Sequence, residues 1–147
     1  MAIIIDHTLE IDAPFGTVWH VLTDLENYGE WNPFVVACES SLQPGATIYM
    51  QVKVLAKAQP QKETIFEHVP QRLLSYGINL PLGLLKSQRV HELEILDARR
   101  TLYKSKFKLT GLLSPLVAMT LGENLRRGFA EMSAALKTRA EILSEKF

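Results

Sequence analysis

The sequence predicts an α+β fold: a curved antiparallel sheet of seven strands around one long C-terminal helix, with two short helices after the first strand. Three observations carry this expectation. Six strand-like runs follow one another between residues 35 and 110, a short amphipathic stripe interrupts the chain after the first strand, and about thirty residues from Ser114 onward keep a helical apolar period.

Residues 3–11 are rich in isoleucine and read as the first strand. Pro14 then stands where the first turn of a helix tolerates a residue without an N–H. Phe15, Val18, Trp19 and Leu22 follow at i, i+3, i+4 and i+7, which makes one apolar stripe. Gly29 and Pro33 end the helical pattern inside ENYGEWNPFV (26–35). The aromatics of that stretch read either as a binding surface or as a plug that seals one end of the fold; if Trp31 is core, its truncation would cost about 3–5 kcal/mol. The six further strands read as about 35–42, 46–55, 61–69, 72–79, 86–96 and 100–110, separated by Pro44-Gly45, QPQ (59–61), Pro70-Gln71, the LPLG loop (80–83) and DARR (97–100).

Charge suggests a register for the last two strands, since opposite charges facing each other on the solvent side favour one alignment. With Ala98, Arg99 and Arg100 as the loop, Glu94 faces Lys104 and Glu92 faces Lys106. The inner face then carries His91, Leu93 and Ile95 beside Tyr103, Ser105, Phe107 and Leu109, whereas the opposite facing would bury two glutamates and three lysines. Ser114-Pro115 marks the start of the last helix, with a capping hydroxyl followed by a residue preset for the first turn. Leu121, Leu125, Phe129, Met132, Leu136 and Leu143 keep its stripe, and Glu123, Arg126, Arg127, Lys137 and Arg139 fall mostly elsewhere. At about 1.5 Å per residue, such a helix reaches roughly 45 Å, enough to cross the whole sheet.

Composition narrows the function classes. The 147 residues, 47% of them apolar, suit one domain, residues 1–147, with a real core. Sixteen basic side chains offset sixteen acidic ones, which argues against a nucleic-acid partner. Arg99-Arg100 and Arg126-Arg127 read as isolated pairs on solvated faces. Cys38 is the single cysteine, and MAIIIDHTLEID lacks a basic start ahead of a long apolar run, so a cytoplasmic location is expected. The apolar runs LPLGLL (80–85) and LLSPLVAMTL (112–121) are short of the roughly 18 residues of a membrane span. There is no nucleotide-binding glycine pattern and no GxSxG, and His7, His20, His68 and His91 are scattered, so neither a metal nor a cofactor is expected.

In PFGTVWHVLTDLENYGEWNPFV (14–35), a helix carrying Trp19 leads to Asp24, Tyr28 and then Trp31-Asn32-Pro33. In GFAEMSAALKTRAE (128–141), a helix closes on Ala-Leu-Lys followed by Ala-Glu, and HELEIL (91–96) and TGLLSPL (110–116) lie between. These blocks resemble those of the START, birch-pollen-allergen and polyketide-cyclase superfamily, SRPBCC, over nearly the whole chain. The resemblance implies the helix-grip fold, a curved sheet gripping a long helix around an internal ligand cavity.

On that implication the cavity lining is Met50, Val52 and Val54 on one strand, Leu74, Tyr76 and Ile78 on another, His91, Leu93, Tyr103, Ser105 and Phe107 on the last two, and Leu125, Phe129 and Met132 from the helix. Arg89, His91, Tyr76, Tyr103 and Ser105 are the polar groups available for specificity. Arg89, His91 and Tyr103 are also the weak catalytic candidates, comparable with the arginine, tyrosine and histidine of polyketide cyclases in such a pocket. Many relatives carry an acid on the last strand before a Phe-x-Gly ending. Here Phe107 and Leu109 precede Gly111, and without that acid a more apolar cavity is expected. Leu82 and Leu84, with Leu116 and Met119, are expected at the cavity mouth, with two readings open: the two apolar segments bury each other, or they form an apolar gate that touches a membrane or partner transiently to load a ligand, with Gly83, Gly122 and Gly128 permitting movement or close approach.

The expected function is binding of a small hydrophobic molecule such as a lipid, isoprenoid, quinone or polyketide, by a carrier or sensor that is a monomer or weak homodimer. A cyclase or dehydratase using the same cavity is the second reading. A protein-interaction or co-chaperone module is the third.

Overall fold

In the computed structural model, which describes residues 3–145, the first strand is split into β1 (Ile3–Ile4) and β2 (His7–Ile11), both paired with the last strand, β8 (Arg100–Thr110). Ile5 and Phe107 exchange backbone hydrogen bonds across the break, and the Asp6 carboxylate accepts the Phe107 N–H as well. Asp6 therefore interrupts the ladder without shifting it, and the sheet counts eight strands where seven are expected.

The chain continues through α1 (Phe15–Thr23), a 3-10 turn (Leu25–Asn27) and α2 (Tyr28–Trp31). A meander follows: β3 (Val35–Glu39), β4 (Thr47–Val52), β5 (Gln59–Val69), β6 (Leu73–Gly77), β7 (Lys86–Asp97) and β8, each antiparallel to the next. The long helix α3 (Ser114–Glu145) then crosses the sheet. This is the helix-grip α+β arrangement. Among the described residues, no helix is long and apolar enough to cross a membrane.

The β7–β8 pair corrects the charge-derived register by two residues. Glu92 faces Lys104 and Val90 faces Lys106, because the turn is only Ala98-Arg99 and β7 bulges between Ile95 and Asp97. Long side chains absorb the slip: Lys104 Nζ lies 3.0 Å from Glu94 and 3.6 Å from Glu92, and Lys106 Nζ lies 3.6 Å from Glu92. The facing is nevertheless as expected, with His91, Leu93, Tyr103, Ser105 and Leu109 buried. Ile95, next to the bulge, is exposed.

The opening stretch is anchored by Tyr28 and Phe34 rather than Trp31. Tyr28 is buried and donates its hydroxyl to the Leu22 carbonyl, while Trp31 packs edge-on against it at 5.2 Å and stays half-buried. The buried Asn32 braces the turn, its Oδ1 accepting the N–H groups of Phe34 at 2.9 Å and Val35 at 2.8 Å. With Trp31 partly in solvent, its truncation should cost less than a full core vacancy.

Helix α3 packs unevenly. From Leu125 through Gly128, Phe129, Met132, Ser133 and Leu136 to Ala140 its inner side is buried, whereas Leu116 and Met119 in its first turns are exposed. At its start, the Ser114 hydroxyl donates to the Gly111 carbonyl, and Gly111 (φ +111°) passes so close to Leu84 that a Cβ there would stand 2.7 Å from the Leu84 oxygen. Backbone bonds from Leu112 to Gly83 and from Leu113 to Leu84 pin the Leu80–Leu85 loop to this corner. Gly122 faces open space, so no close approach requires it.

Gly128 is the point of closest helix–turn contact, since a Cβ there would fall 2.2 Å from the Phe34 ring. In an exposed helix, Gly→Ala stabilises by up to about 1 kcal/mol. Here Gly128→Ala should destabilise by about 1–3 kcal/mol through overpacking, measured as a lower urea midpoint with an unchanged m-value. A raised midpoint would mean that Phe34 gives way freely.

Candidate functional site

Under the front half of α3 lies a cavity of about 320 Å³. Its walls follow from cross-strand pairing, because directly opposed residues share a face of the sheet. Met50 pairs with Gln61, Val52 with Gln59, and Ile48 with Glu63, so the inner face of β5 brings Gln59, Gln61 and Glu63 into the lining. Ile65, Tyr76, Arg89 and Phe107 form one continuous row across β5 to β8, and the last three of these are the cavity floor. Val117, Leu121, Leu125, Phe129 and Met132 of α3 close the roof, with Val54, Leu55, Ile78, Leu85 and Ser87 around the edge. Asn124 Nδ2 donates to the Val54 carbonyl at 2.8 Å and ties the roof to the end of β4.

Of the residues expected in the lining, Met50, Val52, Val54, Tyr76, Ile78, Phe107, Leu125, Phe129 and Met132 are there. Leu74, His91, Leu93, Tyr103 and Ser105 are not. Leu74, His91 and Ser105 stand one row below the floor and Leu93 and Tyr103 one further, all of them buried and outside the lining. The mouth differs likewise: Leu82, Leu116 and Met119 point to solvent, at 90%, 58% and 82% exposure, and Leu84 is half-buried. Val117, Leu121 and Leu85 take their place at the cavity edge, because the pinned loop turns Leu82 outward at φ +62°.

Gln59, Gln61 and Glu63 were not expected in the site. A mostly polar run reads as solvent-facing, and the signal that places it inside is its pairing with Ile48, Met50 and Val52. Glu63 supplies an acid from β5 where none is present on the last strand. Burial raises its pKa, and a 3.3 Å hydrogen bond from Gln61 and the positive charge of Arg89 partly offset that rise.

Arg89 is 4% exposed. One terminal nitrogen donates to Ser105 Oγ at 2.7 Å and to the Lys106 carbonyl at 3.3 Å, the other to the Tyr103 hydroxyl at 3.5 Å, and the guanidinium carbon lies 4.5 Å from the centroid of Phe129. Among the described residues no carboxylate lies within 4.0 Å of it.

Below the floor, His91 bridges two phenols, with Nδ1 2.6 Å from the Tyr103 oxygen and Nε2 2.9 Å from the Tyr76 oxygen. Complete burial, reinforced by the Arg89 charge, holds its pKa well below the usual imidazole range. A neutral imidazole has one donor and one acceptor, and Arg89 can only donate. With Arg89 donating to Tyr103, the order Tyr103 to Nδ1 and Nε2–H to Tyr76 gives the sealed Tyr103 proton an acceptor and leaves the proton of Tyr76, a cavity-lining residue, without one in this chain. His91 is thus fully buried between the two phenols and does not line the cavity. Among the described residues no three His, Cys, Asp or Glu side chains converge as a metal site.

The family model described as "Polyketide cyclase / dehydrase and lipid transport" matches residues 2–141. The chain belongs to that family, within the SRPBCC superfamily. Among curated proteins none matches. A START superfamily protein from Mycobacterium smegmatis has the same fold at TM-score 0.73 and 18% identity, covering 95% of this chain and 98% of that one. The Zhui aromatase/cyclase from Streptomyces sp. R1128 aligns at TM-score 0.72 and 18% identity, over 99% of this chain and 95% of that one. A norcoclaurine synthase point mutant from Thalictrum flavum, in complex with a transition-state analogue, aligns at 0.72 and 15%, over 100% and 98%. At these identities the likeness is one of fold.

The depressed His91 pKa has a sign for stability. An unfolded chain protonates its histidines near pH 6.5, whereas folded His91 stays neutral to lower pH. Its contribution is therefore complete above about pH 6.5 and is lost as pH falls toward the depressed folded value. Urea unfolding between about pH 8 and about pH 5 should show stability falling on acidification, with up to about 1.4 kcal/mol per pH unit from this one group. The slope should flatten in His91→Gln; an unchanged slope would remove His91 as the titrating group.

Proposed function

We propose that the protein binds a small, mainly apolar molecule in this cavity as a carrier or sensor. The observation that carries the reading is the space of about 320 Å³, walled by aliphatic and aromatic side chains with a few polar groups on one side. That size and lining suit a small-molecule site. Covering about 300 Å² of apolar ligand at about 25 cal/mol/Å² is worth about 7–8 kcal/mol before association costs, which places affinity near the micromolar range for many apolar bodies. Membership of a family described by both cyclase/dehydrase and lipid transport is compatible with this reading.

The neutral fluorophore N-phenyl-1-naphthylamine should bind with micromolar affinity and brighten. Val52→Trp, which fills the cavity from β4, should weaken that binding more than about tenfold with little loss of thermal stability. Native mass spectrometry of freshly purified protein, followed by solvent extraction, should release a hydrophobic molecule. Binding that Val52→Trp leaves untouched would place the fluorophore on the surface and defeat the reading.

A cyclase or dehydratase is the second reading, favoured by Glu63, an acid with a raised pKa facing the same space as Arg89. If it holds, Glu63→Gln should abolish turnover of an aromatic polyketide analogue while leaving its binding within about twofold. Retained turnover in Glu63→Gln would eliminate this acid from the chemistry.

A further inference from the structure

The floor of the cavity holds a cation whose contacts are all neutral. Burying a charge is costly unless it is paired or densely hydrogen-bonded. Arg89 meets a serine hydroxyl, a carbonyl, a phenol and the face of Phe129, but no anion. The acid that shares the cavity, Glu63, stands two strands away on β5, outside ion-pair reach. Tyr76 is the direct cross-strand neighbour of Arg89 and also lines the cavity. The donor order from Arg89 through Tyr103 and His91 ends by giving a proton to the Tyr76 oxygen, so the hydroxyl proton of Tyr76 has no acceptor within that network. Two donors, one of them charged, therefore stand side by side on the floor of a mainly apolar cavity whose other polar lining residues are Gln59, Gln61, Glu63 and Ser87.

Resting on the ligand-binding reading above, we propose that the ligand is an amphiphilic carboxylate, its head group on Arg89 and Tyr76 and its apolar body extending beneath Leu121 and Leu125. A carboxylate has the charge to complete the buried guanidinium and a second oxygen to accept from the phenol, and guanidinium–carboxylate bonds are about twice as strong as neutral ones. An alcohol or ester of the same body would leave the arginine charge uncompensated. The Arg89–Tyr103–His91–Tyr76 chain then has a purpose in binding: it orients the Tyr76 hydroxyl as a donor toward the ligand.

The test compares decanoic acid, at a pH where it is ionised, with methyl decanoate, each displacing N-phenyl-1-naphthylamine. Wild type should prefer the acid by about tenfold or more. Arg89→Met should reduce that preference to within about twofold while still binding the neutral probe, and Tyr76→Phe should reduce it several-fold. If Arg89→Met fails to fold, Tyr76→Phe alone decides, because it removes one hydroxyl and keeps the ring. Glu63→Gln should keep or widen the preference; its loss there would move the head group to Glu63 and overturn the assignment. Equal displacement by acid and ester in wild type would overturn the carboxylate while leaving the ligand-binding reading intact. No binding of probe, acid or ester would overturn both.

Discussion

A long helix laid across a curved sheet does not stay in contact with it along its whole length. Helix α3 has 32 residues and is therefore about 48 Å long, while the strands beneath it twist relative to one another. Contact is made along its second half, where Phe129, Met132, Leu136 and Ala140 are buried. Polar ties reinforce that half: Ser133 to His7, Lys137 to the Glu10 carbonyl, Glu141 to the Asp12 N–H, and Arg139 to Glu30. The front half stands off the sheet, and the space beneath it is the cavity.

The same geometry sorts the polar residues of β6, β7 and β8 into two kinds. Rows below Tyr76–Arg89–Phe107 lie under packed helix, so His91 and Tyr103 are sealed in a low-dielectric interior where each group finds a partner. The row that coincides with the edge of the packed region has protein on one side and open space on the other. Arg89 occupies that boundary, with neutral partners below it and the cavity above. The chemical character of the site is set where packing stops.

At the outer end, the Leu80–Leu85 loop and the start of α3 are locked to each other through backbone hydrogen bonds around Gly111 rather than through their side chains. Leu82, Leu112 and Met119 consequently face solvent while the backbone they belong to is fixed. The corner is hydrogen-bonded through its main chain and apolar on its outside.

Much of the fold is legible in the amino-acid order because facing is a matter of parity. Alternation along β7 and β8 puts His91, Leu93, Tyr103 and Ser105 inside whether or not the register is right, since a slip of two residues keeps every side chain on its own face. The helical stripe of α3, its start at Ser114, and the opening and closing blocks shared with SRPBCC proteins are likewise local patterns. Register itself was not legible, because lysine and glutamate side chains are long enough to satisfy either alignment. Which of the inward residues meet a cavity was decided by the tertiary structure alone: it depends on where α3 leaves the sheet, and no single segment encodes that. For the same reason Gln59, Gln61 and Glu63 became site residues despite their polarity, through pairing with Ile48, Met50 and Val52, while the apolar Leu74 and Leu93 became core.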